Sequence, residues 1–312
     1  RHLDELKWLY CELYQDNPYV TMHLNDLLKV LKKFYDMRGN ALKESDLKRE
    51  KDPTWYKRND LTGMMMYVNA FAGTLSNLES KLDYVQECNV NYLHLMPLLD
   101  SPKGRSDGGY AVADFRKIQE ELGTMDDFAD LTAACHKRGI NVCLDFVMNH
   151  TSEDHEWAKR ARAGEKEYQD RYFFFDNYDI PSLYEQTCPE VFPTTAPGNF
   201  TWLEDLHKHV MTTFYPYQWD LNYRNPIVLN EMIFNIRVWI SFVWMLYHIS
   251  GNSLEPTAAI FHRFTPLYAS CVWSARLYAR AYFFSEKLLW LLKRLFHTLE
   301  LSRNQNAICS TM

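Results

Sequence analysis

Three groups of polar residues stand where an apolar run gives way to a loop. Asn69 closes MMMYVN (Met64–Asn69). Asp107 and Tyr110 lie in the Gly-rich segment KGRSDGGYAV. Asp145, Asn149 and His150 end INVCLDFVMNH (Ile140–His150). Each has a plainer reading. SDGG is a common turn, because Asp and Gly both favour one. Asp145, inside an apolar run, is equally a buried polar group held by a hydrogen-bond partner. Their joint placement is what argues for a site. In a barrel of alternating strands and helices, functional groups gather at the carboxyl ends of the strands.

The elements that would position them form a repeating pattern. MMMYVN, VNYLHLMP (Val90–Pro97) and Ile140–His150 are apolar runs of strand length. Between them, LSNLESKLDYVQEC and MDDFADLTAACHKRG have helical periodicity, the second with an acidic first turn and a stop at Gly139. Apolar strands alternating with amphipathic helices predict a parallel sheet. Before this, LNDLLKVLKKFYDM predicts a helix, and KESDLKREKDP reads as a charged connector ending at Pro53. After it, Thr151 to about Tyr217 is aromatic, Pro-rich and polar, an insertion following the third strand; a further helix starts at Pro226. The aromatics of RYFFFDNYD are either the core of that insertion or a platform for a ligand. The expected fold class is α/β, the first strands of a (β/α)8 TIM barrel. The expected division is a helical N-terminal segment (1–54), the first β/α units (55–150), an insertion (151–220), a return to a barrel helix (221–236) and a distinct tail (237–312).

Composition narrows the partners. The net charge of -6 over 312 residues gives no reason to expect nucleic acid. Seven scattered cysteines with no CxxC pair read as free thiols in a reducing compartment, hence a cytoplasmic location. The run Val238–Tyr247 is about ten residues long, against the roughly 20 needed to cross a bilayer, so no membrane is expected.

The segments Tyr67–Phe115 (YVNAFAG…SDGGYAVADF), LDFVMNHTSEDHEWA and FYPYQWDLNYRNPIVLNEM resemble the α-amylase superfamily, glycoside hydrolase family 13. Within it the resemblance is nearest to amylosucrases, which transfer glucose from sucrose to an α-glucan. It runs from about Trp55 to Asn235, and the preceding helices resemble part of the amylosucrase N-terminal domain. It implies that the insertion is a domain B and that Asp107, Tyr110 and His150 grip the glucosyl ring. Asn149 matches a position that holds structural calcium in many α-amylases; amylosucrases generally lack that metal, and no metal or cofactor is expected. The implied partner is sucrose or an α-glucan. The physical sense is that carboxylate and imidazole bond sugar hydroxyls while a phenol packs against the apolar ring face. Two other expectations stay open: another family 13 α-glucosidase or a trehalose synthase, or a non-catalytic carbohydrate-binding remnant.

A retaining member of such a family needs two carboxyl groups about 5–5.5 Å apart. The resemblance places the nucleophile in an R-x-D motif ending the fourth strand. Where it is due, the chain reads RVWISFVWMLYHIS, and no Asp follows Asp220. Reading from the third base of each codon, the single codons of Trp and Met force GAT (Asp) across Trp239–Ile240 and again across Trp244–Met245. The same frame permits V-D-I-I-R-L-D-A-V-P-Y, and later L-G-E across Ser285–Lys287, over about 75 residues. The expectation is therefore an out-of-frame tail from about Arg237, with no catalytic carboxylates present and an inactive chain.

Overall fold

The computed structural model describes residues 3–52, 55 and 59–240. Three helices lead, α1 (Leu3–Leu13), α2 (Val20–Met37) and α3 (Asn40–Lys51). In α2, Leu24, Leu27, Leu31 and Phe34 recur at helical spacing and are buried together. α3 corrects the connector expected over KESDLKREKDP. Lys, Glu, Leu and Arg are good helix formers. The turn into this helix is fixed by a buried pair, in which Arg38 Nε and Nη2 each donate to Asp46 at 2.8 Å. Replacing two water shells with a two-pronged bond is favourable only at such geometry.

Strands β1 (Gly63–Met66), β2 (Tyr92–Leu95) and β5 (Asn141–Leu144) form the expected parallel sheet in the order β1-β2-β5, in register Met66↔Leu95↔Leu144. Leu93, Leu95 and Val142 are fully buried. The intervening segment is covered by the short helices α4 (Val68–Phe71), α5 (Leu75–Ser80) and α6 (Leu82–Glu87). The single helix expected over LSNLESKLDYVQEC is thus broken at Lys81. A hairpin, β3 (Leu99–Asp100) with β4 (Asp114–Ile118), follows β2. α7 (Met125–Lys137) opens with a reciprocal cap between Thr124 and Asp127. It ends where Gly139 takes a positive φ of 73°, so that Ile140 N–H reaches back to Cys135 O at 2.9 Å.

The insertion is closed at its own base. β6 (His150–Ser152) pairs antiparallel with β10 (Gln218–Asp220), placing His150 opposite Asp220. Between these strands lie α8 (Glu156–Arg162), α9 (Lys166–Gln169), α10 (Asp179–Glu185) and a three-stranded antiparallel sheet. That sheet contains β7 (Phe174–Phe175), β8 (Phe200–Leu203) and β9 (Lys208–Met211), in the order β7-β9-β8. Trp219, fully buried, meets Tyr172 and Phe174 edge-on at 5.5 and 5.6 Å. Three of the aromatics of RYFFFDNYD are therefore core: Tyr172 and Phe174 face Trp219, and Phe173 packs with Cys188 and Met211.

α11 (Pro226–Ile240) begins at the expected proline, whose missing N–H costs nothing in a first turn. The helix continues through Arg237 to Ile240, so the boundary expected at Arg237 is no break in local structure. Trp239 is fully buried, donates its indole N–H to Phe115 O at 2.7 Å, and packs edge-on against Phe128 at 5.3 Å. Arg237 is also buried, and its Nε has no hydrogen-bond partner among the described residues. Burial lowers its pKa to about 10. The shifted-frame matches from Ser241 onward, and the apolar run Leu288–Leu292, lie outside the described residues.

Candidate functional site

Two of the three strand-end groups converge. The third does not. β1 ends at Met66, not at Asn69, which sits exposed in the one-turn helix α4. The third strand is also shorter than expected. β5 stops at Leu144, and His150 begins β6 in a different sheet. Phe146, Val147 and Met148 are buried in the connection between them, which made the apolar run look like one strand.

Asp145 follows β5 directly and is buried. It accepts from Tyr110 Oη at 2.9 Å, and its other oxygen lies 2.9 Å from His94 Nε2. The plainer reading of this residue holds, since it is a satisfied buried carboxylate, and one of its partners is a candidate site residue. Burial, then the Asp145 charge, pushes the Tyr110 phenol well above its ordinary pKa, so it remains a neutral donor.

Asp107 occupies a tight turn with φ +50°, a region that non-glycine residues seldom enter. The following Gly109 (φ +99°) explains the sequence of the turn, because a Cβ there would lie 2.8 Å from the Pro97 side chain. The Asp107 carboxylate accepts from Gln218 Nε2 at 3.1 Å. Partial burial raises its pKa, opposed by that bond. Gln218 is fully buried, with its Oε1 held by Tyr215 N–H at 2.9 Å. Its Nε2 also lies 3.1 Å from His150 Nε2.

His150 completes the cluster. Its Nε2 is 3.2 Å from Tyr110 O, and its Nδ1 is 3.2 Å from Asn149 Nδ2. Burial lowers its pKa to about 4, so the ring is neutral at physiological pH. The Phe214 ring stands 5.0 Å away. The Asn149 amide also donates to Asp220 at 3.2 Å. Thr213 bonds Asp220 through both its hydroxyl and its N–H. Burial pushes the Asp220 carboxyl up to about 7. Asn149 is thus engaged in holding His150 and Asp220. Among the described residues no group of three or more His, Cys, Asp or Glu is arranged to hold a metal.

The structure brings Asp107, Tyr110 and His150 close together, through a residue that no motif singled out. Gln218 lies 111 residues from Asp107 and 68 from His150. It was visible only as part of QWDLNY, with no periodicity to single it out. Tyr67 was missed as well. A Cβ on Gly108 would meet its hydroxyl at 3.2 Å, and the Asp145 and Asp107 charges add to burial in raising its pKa.

The arrangement presents a carboxylate, a neutral phenol and a neutral imidazole, each fixed by a buried neighbour. Such a set can bond several hydroxyls of one small polyol. The position of the expected R-x-D motif falls outside the described residues. No described helix is long and apolar enough to cross a membrane.

Comparison with known proteins agrees with this architecture. The profile of the alpha amylase catalytic domain matches residues 32–247. The chain is 35% identical over 220 residues to the trehalose synthase/amylase of Mycobacterium tuberculosis, covering 68% of this chain and 34% of that protein. It is 38% identical over 173 residues to maltase 1 of Drosophila virilis, covering 54% of this chain and 26% of that protein. The chain therefore spans about a third or less of the length of these curated relatives. Among solved structures, a trehalulose synthase mutant in complex with Tris superposes with a TM-score of 0.52 at 29% identity, over 60% of this chain and 33% of that one. The trehalose-6-phosphate hydrolase of Bacillus licheniformis, at 24% identity, shares the fold with a TM-score of 0.54, over 67% of this chain and 42% of that one. These relatives favour the trehalose synthase and α-glucosidase expectation over the amylosucrase one. With the profile matching well over half of its length, and the strand-end cluster built on a partial parallel barrel, the chain belongs to the alpha-amylase catalytic-domain family.

Proposed function

We propose that Asp107, Tyr110 and His150 hold the terminal glucosyl unit of a small α-glucoside, of the kind named for the trehalose synthase and maltase relatives. The observation that carries this reading is the convergence of the three residues around Gln218 and Asp145, from segments 35 to 111 residues apart. In this reading the Asp107 carboxylate and the His150 imidazole bond ring hydroxyls. Such bonds strengthen as an oxocarbenium-like transition state forms. Turnover needs a nucleophile and an acid/base that this chain as written does not supply. From about Arg237 onward we read the sequence as out of frame, so the chain binds sugar without cleaving it. Reading the DNA across codons 230–245 tests the frame directly.

The binding test is calorimetric titration of the full chain with maltose and with trehalose. Asp107→Asn and His150→Gln should each weaken binding about tenfold, the loss of roughly one charged or buried hydrogen bond. Unchanged affinity in both variants would overturn the assignment. Glucose release that Asp107→Ala abolishes would overturn the inactivity. Sucrose is the second reading, supported by the resemblance of the quoted segments to amylosucrases. Titration in parallel decides between the donors.

A further inference from the structure

The insertion sheet has two unlike faces. Side chains alternate along β9, so Val210 points one way and His209 and Met211 the other. The Val210 side joins the core, where Phe174 pairs opposite it. On the other side the register sets Phe175, His209 and Trp202 in one row across β7, β9 and β8. At strand spacing that row is about 10 Å long. α10 covers part of this face through Tyr184, stacked on Phe200 at 6.1 Å. The rest is open, and Trp202 and Tyr178 are each 43% exposed. Their rings flank His209 at 4.7 and 4.9 Å, both tilted 54° to the imidazole. Together they outline a shallow aromatic trough.

We propose that this trough, Tyr178, His209 and Trp202, is a second binding site for α-glucan chains, separate from the Asp107 cluster. The proposal rests on the sugar-binding reading only for the class of ligand. Three observations select a neutral polymer with apolar ring faces. First, the polar edges of the two exposed rings, Trp202 and Tyr178, are already engaged. Glu204 accepts the Trp202 indole N–H at 2.6 Å and Glu185 accepts the Tyr178 hydroxyl at 3.3 Å, leaving ring faces as the free surface. Second, the rim carries Glu185, Glu204 and Asp176 against Lys208, which is paired with Asp176. That excess of carboxylates disfavours nucleic acid and anionic lipid. Third, β9 runs on through Thr212 and Thr213, which bonds Asp220, into the strand that carries Gln218. The open face therefore belongs to the segment that completes the proposed glucosyl site.

The experiment is native electrophoresis of the full chain through gels with and without amylopectin, alongside maltose titration of the same samples. The expected result is retardation by amylopectin. Trp202→Ala should weaken it about tenfold, the effect of losing roughly 50 Å² of apolar contact. Trp202→Phe should restore most of it, and Asp107→Asn should leave it unchanged. Absence of retardation, or retardation indifferent to both Trp202→Ala and Tyr178→Ala, would overturn the proposal. So would retardation lost with Asp107→Asn, which would trace it to the first site, or a concentration-dependent dimer abolished by Trp202→Ala, which would make the face a self-contact. Failure of maltose to bind while retardation persists would remove the glucosyl-site reading and leave this one standing.

Discussion

The two three-stranded sheets among the described residues serve opposite ends. The parallel sheet is a spacer. Its central strand is covered on both sides, and its chemistry starts only where the strand stops, at Asp145. The insertion sheet buries one face against Trp219 and leaves rings of the other in solvent. The difference teaches that the first sheet supplies rigidity and the second supplies surface. Among the links between the insertion and the barrel is Gln218, which belongs to the base of the insertion and bonds the turn that follows the barrel's second strand.

The sharpest test of that contrast is to damage each sheet in turn. Leu93→Ala, at a fully buried position of β2, should cost about 2–5 kcal/mol. Trp202→Ala on the open face should cost under about 1 kcal/mol. Denaturant midpoints of the two variants measure the difference, and equal losses would break the comparison. Next in size is Gln218→Ala, which removes the amide donor of the half-buried Asp107 carboxylate and the polar neighbour 3.1 Å from the His150 ring. It should cost about 1–3 kcal/mol and weaken maltose binding, although the residue sits in neither β1, β2 nor β5.

A third effect is on acid stability. Burial holds His150 near pKa 4 and His155 near 3, against 6.5 for the free side chain. The unfolded chain therefore takes up protons that the folded chain refuses. Stability that is whole above about pH 6.5 should drain away as the pH falls through 4. Asp220 works in the opposite sense. Its folded pKa near 7 exceeds the ordinary 3.8, so its contribution is present below 3.8 and is lost as pH rises through 7. His155→Asn keeps an acceptor at the start of α8, where His155 Nδ1 now caps Trp157 N–H. It should flatten the acid limb of a melting-temperature profile. An unchanged limb would show that His155 does not contribute. A further expected effect is on the barrel side. Thr124→Ala removes the cap of α7 and should lower stability by about 1 kcal/mol, with maltose affinity unaltered.

What could be read in advance follows range. The parallel strands, the stop at Gly139 and the start at Pro226 are local signals, set by a few adjacent residues; the stop and the start appear where expected, and the strands appear in the expected segments but end earlier. The proximity of Asp107, Tyr110 and His150 could be anticipated because each lies in a contiguous motif at a strand end. Two kinds of error remain. A buried connection looks like a strand, because apolar runs report burial and not pairing. Phe146–Met148 are buried without extending β5. And a charged stretch looks like a linker when its pairing is out of view, as Arg38 and Asp46 were. Gln218 and Asp220 were invisible for the same reason at longer reach. Their roles exist only after β6 and β10 have zipped the insertion shut.

The leading helices have a consequence in time. Tyr10 Oη donates to Asn230, Tyr14 Oη to Tyr223 O, and Asn230 to His23 O, across 207 to 220 residues of chain. A ribosome adding about 5–20 residues per second needs roughly 10–40 s to make the partners of α1 after α1 itself has emerged. For that interval the apolar faces of α1 and α2 have only each other, and the two tyrosine hydroxyls depend on water. Helices made well before α11 are thus locked only once α11 has been made. Any nascent-chain helper that acts on this protein has its longest opportunity at the segment that the finished fold hides against α11.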